Sequence, residues 1–132
     1  MSPEALDGKT NLFFNALVRV RDGPEFMEMI PGLIDREVAR PHRATITNPR
    51  MDRAKRKHPT EDELYGLNLS FAYFDDAVIP ETQRRGSKLT ELSLFLSCFG
   101  LPDGDYQGLN GKQVVVYAFK SRTIAAIEVP HE

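Results

Sequence analysis

The chain has no tryptophan, one cysteine and three histidines among its 132 residues. Cys98, alone, forms no internal disulfide, and its apolar surroundings predict a buried, inert thiol in a reducing compartment. His42, His58 and His131 are far apart and no CxxC or HExxH spacing occurs, so the donors of a zinc site are missing. No apolar run approaches the roughly 18 residues of a membrane helix, so no membrane partner is expected. The opening Met-Ser-Pro-Glu-Ala-Leu-Asp lacks the basic and apolar regions of a signal peptide, which makes the cytoplasm the expected location.

Catalytic sets are equally scarce. Gly104 to Lys112 contains Gly-Lys, but the spacing is not that of a phosphate loop and Gln113 replaces the hydroxyl residue. A histidine–asparagine–histidine nuclease built from His42, Asn48 and His58 lacks the local pattern it needs. Asp75 and Asp76, with Glu81 or Glu91, would offer carboxylates to Mg²⁺, yet adjacent carboxylates at a strand end more often mark a turn. The expectation is a protein that is not an enzyme and uses no metal or cofactor.

What is present is a globular composition, with 41% hydrophobic and 27% charged residues in a length that suits one domain. The net charge of −2 conceals two opposed regions. Arg36 to His58 holds eight Lys or Arg against Glu37 and Asp52, a net of +6; the other nine bases and seventeen acids leave −8. Such asymmetry bears on partners rather than on fold.

Residues 1–10 read as a polar lead-in. From Leu12 to Arg21, the period-two placing of Phe14, Ala16, Val18 and Val20 predicts a strand. Asp22-Gly23-Pro24 is a turn, and Phe26, Met29, Ile30, Leu33 and Ile34 predict a short helix at about 24–38, broken at Pro31-Gly32. Arg43–Thr47 reads as a strand ended by Asn48-Pro49, and the charged residues 50–63 as a long exposed loop. In the clearest strand, Tyr65–Tyr73, Tyr65, Leu67, Leu69, Phe71 and Tyr73 share one face, and Ile79-Pro80 marks its exit. Ser87 caps a main helix over about 87–99, stopped by Gly100 and Pro102. A strand at 114–119, a tight turn at 120–122 and a strand at 123–129 form a hairpin. The fold class is α+β, either a small antiparallel sheet or a partly open OB-like barrel with helices packed against it.

Two features point to chemistry. Arg50, Arg53, Lys55, Arg56 and Lys57, with Arg43 before them, gather charges that phosphate backbones attract through counterion release. A solvated loop is the ordinary alternative, and Glu61, Asp62 and Glu63 follow at once. Aromatic residues also interleave the strands, and single-stranded nucleic acid is held by a basic groove with rings on which bases stack. Most strand aromatics belong to a core. Tyr73 and Tyr117 are the stacking candidates, because a phenol tolerates a wet edge.

The helix Ser87-Lys88-Leu89-Thr90-Glu91-Leu92, ending in Phe99-Gly100-Leu101, is followed by the strand Leu109-Asn110-Gly111-Lys112-Gln113-Val114-Val115-Val116 and a final strand closing on Glu128-Val129-Pro130. This order resembles the C-terminal half of small phage-type single-stranded DNA-binding proteins with an OB-like barrel. It covers about a third of the chain well and extends loosely to the strands at 43–47 and 65–74. The family's acidic tail is replaced by Pro130-His131-Glu132, and residues 11–40 have no counterpart. The resemblance implies binding of single strands without strong sequence preference, Arg43 and the Arg50–Lys57 loop tracking phosphates and Tyr73 and Tyr117 stacking on bases. A homo-oligomer is expected. The alternative is a protein-interaction module, a ferredoxin-like homodimer that binds no nucleic acid.

Overall fold

The computed structural model describes residues 12–18, 32, 34, 38–54, 64–81 and 88–130, with the backbone alone at 52–54, 64 and 65. Among the described residues the strands are β1 (Leu12–Phe14), β2 (Arg40–Thr45), β3 (Thr47–Ala54), β4 (Leu64–Ser70), β5 (Ala77–Pro80), β6 (Gln113–Ala118) and β7 (Ile124–Glu128). They divide into a four-stranded sheet of order β1-β7-β6-β2 and a three-stranded sheet of order β3-β4-β5. All neighbours are antiparallel. The α+β class holds. Among the described residues no closed barrel forms, and their division into two sheets is not the single sheet of a ferredoxin-like winding. Among the described residues no helix is long and apolar enough to cross a membrane.

The two sheets share one length of backbone. β2 hands over to β3 at Ile46, a fully buried residue whose N–H donates to the Lys112 carbonyl at 2.9 Å and whose carbonyl accepts from the Gly111 N–H at 2.8 Å. Gly111 has a φ of 86°, a left-handed value that glycine adopts without a Cβ clash. The corner is thus fastened to the turn that precedes β6.

Between the sheets lies the main core. Val114, Val116 and Ala118 alternate inward from β6, and Leu67 and Leu69 from β4. Phe13 meets Phe95 edge-on, with ring centroids 5.1 Å apart. In β7 both Ile124 and Ile127 reach this core although they are three residues apart. A register shift opposite Tyr117/Ala118 inserts one extra residue and restores the facing. Val18, Ala39 and Ala125 form a smaller cluster on which Phe14, Tyr117 and Phe119 pack.

The helix α1 (Glu91–Cys98) buries Leu92, Phe95 and Leu96. Its cap is Thr90, whose side-chain oxygen accepts from the Ser93 N–H at 3.0 Å. At the other end the Gly100 N–H reaches the Ser97 carbonyl and the Leu101 N–H the Leu96 carbonyl, with Gly100 at a φ of 71°. That pair of bonds satisfies two terminal carbonyls and explains why the helix stops where the sequence indicates. Cys98 is half-buried and packs on the main core.

Several boundaries differ from those expected. The strand from Leu12 ends at Phe14, not Arg21, because Asn15 turns the chain into a helical segment at 16–18. Its Oδ1 accepts the Leu17 N–H at 3.0 Å, as an N-cap does. Asn48-Pro49 does not end a strand but lies inside β3, at an irregularity between Thr47 and Arg50 where Asn48 has a φ of 46°. A break in the ladder is where a residue without an N–H is tolerated. Residues 50–54, expected as loop, pair with 64–68, while 55–63 lie outside the described residues. Ile79-Pro80, expected as an exit, belong to β5, which pairs with β4. The main helix begins at Glu91, and Ser87, its expected cap, is outside the described residues. Of the short helix expected over 24–38, Gly32, named as a break, has helical backbone, and most of the rest is outside the described residues.

Candidate nucleic-acid interface

The connection between β4 and β5 builds the site. Ser70 ends β4, Phe71 sinks into the core, and residues 72–74 bend. Phe74 is half-buried against His42 of β2, with ring centroids 5.4 Å apart and planes tilted by 45°. The Asp75 N–H donates to the Arg122 carbonyl at 3.0 Å, and the Asp76 carboxylate holds Arg50 at 3.2 Å. Arg50 also donates to the Asn48 carbonyl and the Ser70 hydroxyl. Anchored on both sides, the bend leaves the Tyr73 ring 78% exposed.

Around that ring stand basic side chains from two further elements. Arg40, His42 and Arg43 are exposed on β2, an edge strand of its sheet. Lys120 and Arg122 are exposed in the three-residue turn joining β6 to β7. That turn is closed by the Phe119 N–H donating to the Thr123 carbonyl at 3.0 Å and the Arg122 N–H to the Phe119 carbonyl at 2.9 Å. Among the described residues, none of the side chains of Arg40, Arg43, Lys120 and Arg122 makes an ion pair or hydrogen bond. Arg122 has a φ of 72°, a conformation in which glycine is the favoured residue at the end of such a turn.

These groups enclose two adjoining hollows that share Tyr73 and Phe74. The larger, of about 600 Å³, has Phe74, Phe119, Val38 and Ala118 as apolar walls and Arg40, His42, Lys120 and Arg122 as its polar ones. The smaller, of about 180 Å³, lies between residues 43–47 and 72–74 and includes Arg43.

Of the eight residues expected at the site, Arg43 and Tyr73 meet here. Arg50 lies behind the bend with its guanidinium already engaged. Arg53 pairs with Tyr65 far along the β3–β4 ribbon. At about 3.3 Å per residue it stands about 20 Å along the strand from Thr47, the residue paired with Ser70. Lys55, Arg56 and Lys57 lie outside the described residues. Tyr117 is half-buried against the smaller cluster and its hydroxyl donates to Glu128 Oε1 at 3.4 Å.

Arg40, His42, Phe74, Lys120 and Arg122 were not singled out as site residues from the sequence. Arg40 and His42 fall within the basic segment. Lys120 and Arg122 carried one signal, two cations in a three-residue hairpin turn. Among the described residues no group of His, Cys, Asp and Glu is placed to hold a metal ion. No protein-family model, curated protein or solved structure matches the chain.

Proposed function

We propose that the chain binds single-stranded nucleic acid, without catalysis, on the face centred on Tyr73. The observation that carries this reading is an aromatic ring 78% exposed amid arginine and lysine side chains that have no partner among the described residues. A base stacked on such a ring contributes about 1–3 kcal/mol by alanine substitution, whatever its identity. The cations gain from counterion release on phosphate contact. Charges on an edge strand also discourage sheet-to-sheet pairing. That role does not call for an exposed tyrosine held by three anchored neighbours.

An OB-like relationship to phage-type single-stranded DNA-binding proteins belongs to the same reading. Two features support it: two antiparallel sheets joined by one bent ribbon, and a helix ahead of the final hairpin.

The test is titration of a labelled oligonucleotide, followed by anisotropy at several salt concentrations. Binding that weakens steeply with salt, and is lost in a Tyr73→Ala, Arg43→Ala, Lys120→Ala variant, is expected. An oligonucleotide that fails to bind at low salt rejects the proposal. A concentration-independent dimer without such binding supports the protein-interaction alternative.

A further inference from the structure

We infer that the larger hollow takes one whole nucleotide, base and phosphate together, so that a free nucleoside 5′-monophosphate occupies it and competes with a strand. This inference rests on the single-strand reading of the Tyr73 face but makes a narrower demand.

About 600 Å³ is within the range of small-ligand sites. Its walls present two chemistries. One is aromatic: the exposed Tyr73, and the Phe74 ring tilted by 45° against His42. The other is cationic: Arg40, Lys120 and Arg122, with no carboxylate paired to them among the described residues. Inorganic phosphate would leave the aromatic wall unused, and an uncharged nucleoside would leave the cations unused. A nucleotide carries both a flat ring and a dianion, joined by a short sugar. A base held in a duplex is already stacked and paired, which limits this mode to unpaired nucleotides.

Arg122 supplies the independent indication. An arginine occupies a left-handed turn position where glycine costs less, in a turn whose two cations line the hollow. The arrangement separates binding from stability. Arg122→Gly relieves the backbone and removes a charge from the hollow in one step.

The probes are thymidine 5′-monophosphate, thymidine and inorganic phosphate, each titrated into the whole chain by backbone amide NMR and in competition with a labelled oligonucleotide. Thymidine 5′-monophosphate is expected to shift the amides of residues 73–75 and 119–122, to displace the oligonucleotide, and to bind at least about tenfold more tightly than either fragment. Arg122→Gly is expected to weaken it about tenfold or more while the chain melts no earlier than the parent. Oligonucleotide binding that excess thymidine 5′-monophosphate leaves intact overturns this inference and spares the single-strand reading. Equal affinities for thymidine 5′-monophosphate and inorganic phosphate overturn it too. Binding of thymidine 5′-monophosphate with none of any oligonucleotide overturns the single-strand reading and leaves the nucleotide hollow standing.

Discussion

The side-chain oxygen of Asn15 accepts the backbone N–H of Val78 at 3.0 Å, tying the edge of the three-stranded sheet to the end of β1. Asn15 is fully buried, and its amide nitrogen donates to the Ile124 carbonyl at 2.8 Å. One side chain therefore satisfies a donor in one sheet and an acceptor in the other. Asn15→Ala strands both in a dry interior, where an unsatisfied group costs about 1–3 kcal/mol. Urea denaturation should show a loss of about 3 kcal/mol or more, and Asn15→Asp, which lacks the donor, should not restore it.

Gly66 sits opposite Pro80 in the β4–β5 pair, and a Cβ there would run into the Ile79 carbonyl and stand 2.8 Å from Val78 Cγ1. The obstruction includes backbone, so it does not yield by a rotamer change. Gly66→Ala is expected to cost about 1–3 kcal/mol, read from the denaturation midpoint. A neutral result would mean that β5 shifts freely.

Thr90 is the N-cap of α1 through its bond to the Ser93 N–H. Thr90→Ala should cost about 1 kcal/mol, and Thr90→Ser most of that less. Thermal unfolding of the two variants side by side measures the difference.

Arg43 and Arg50 should separate in salt dependence. Arg43 is exposed, whereas Arg50 holds Asp76 and the Ser70 hydroxyl behind the Tyr73 bend. Arg43→Ala should flatten the plot of log affinity against log salt by about 0.7, the contribution of one single-strand phosphate contact. Arg50→Ala should weaken binding by loosening the bend and leave the slope unchanged. Because this ion pair is partly exposed, its loss should cost at most about 1 kcal/mol of stability.

Tyr73→Ala should weaken oligonucleotide binding by about 1–3 kcal/mol with no loss of stability, since the ring is 78% exposed. Phe74→Ala should lower both, because that ring packs on the main core as well as on His42. Anisotropy and thermal unfolding on the same two variants check the contrast.

The parts of the fold legible in the sequence are those where one periodicity governs. Val114, Val116 and Ala118 alternate inward, and Leu92 and Leu96 recur at helical spacing, so the last hairpin and the helix follow from pattern alone. β3 was hidden because its pairing is backbone hydrogen bonding, which leaves no apolar pattern in Arg50-Met51-Asp52-Arg53. Asn15 was hidden because a capping bond and a period-two alternation look alike until the partners are known.

At the site, Tyr73 and Arg43 were legible as residue types, but what brings them together was not. Continued alternation puts Tyr73 on the same face as the buried Phe71. Its actual exposure follows from the bend at 72–74, held by an ion pair between residues 26 positions apart. Lys120 and Arg122 join the same surface because β6 pairs with β2 as far as Ala118 opposite Arg40, and because the Asp75 N–H donates to the Arg122 carbonyl. Neither contact leaves a local trace in the sequence.

The passage of the chain through Ile46 also governs how the molecule comes apart. Opening either sheet at this corner pulls on the other, because β2 and β3 are successive stretches of one ribbon clamped at Gly111 and Lys112. The amides of Ile46 and Gly111 should therefore be among the slowest of the described residues to exchange with solvent, and the two sheets should open as one cooperative unit rather than in turn.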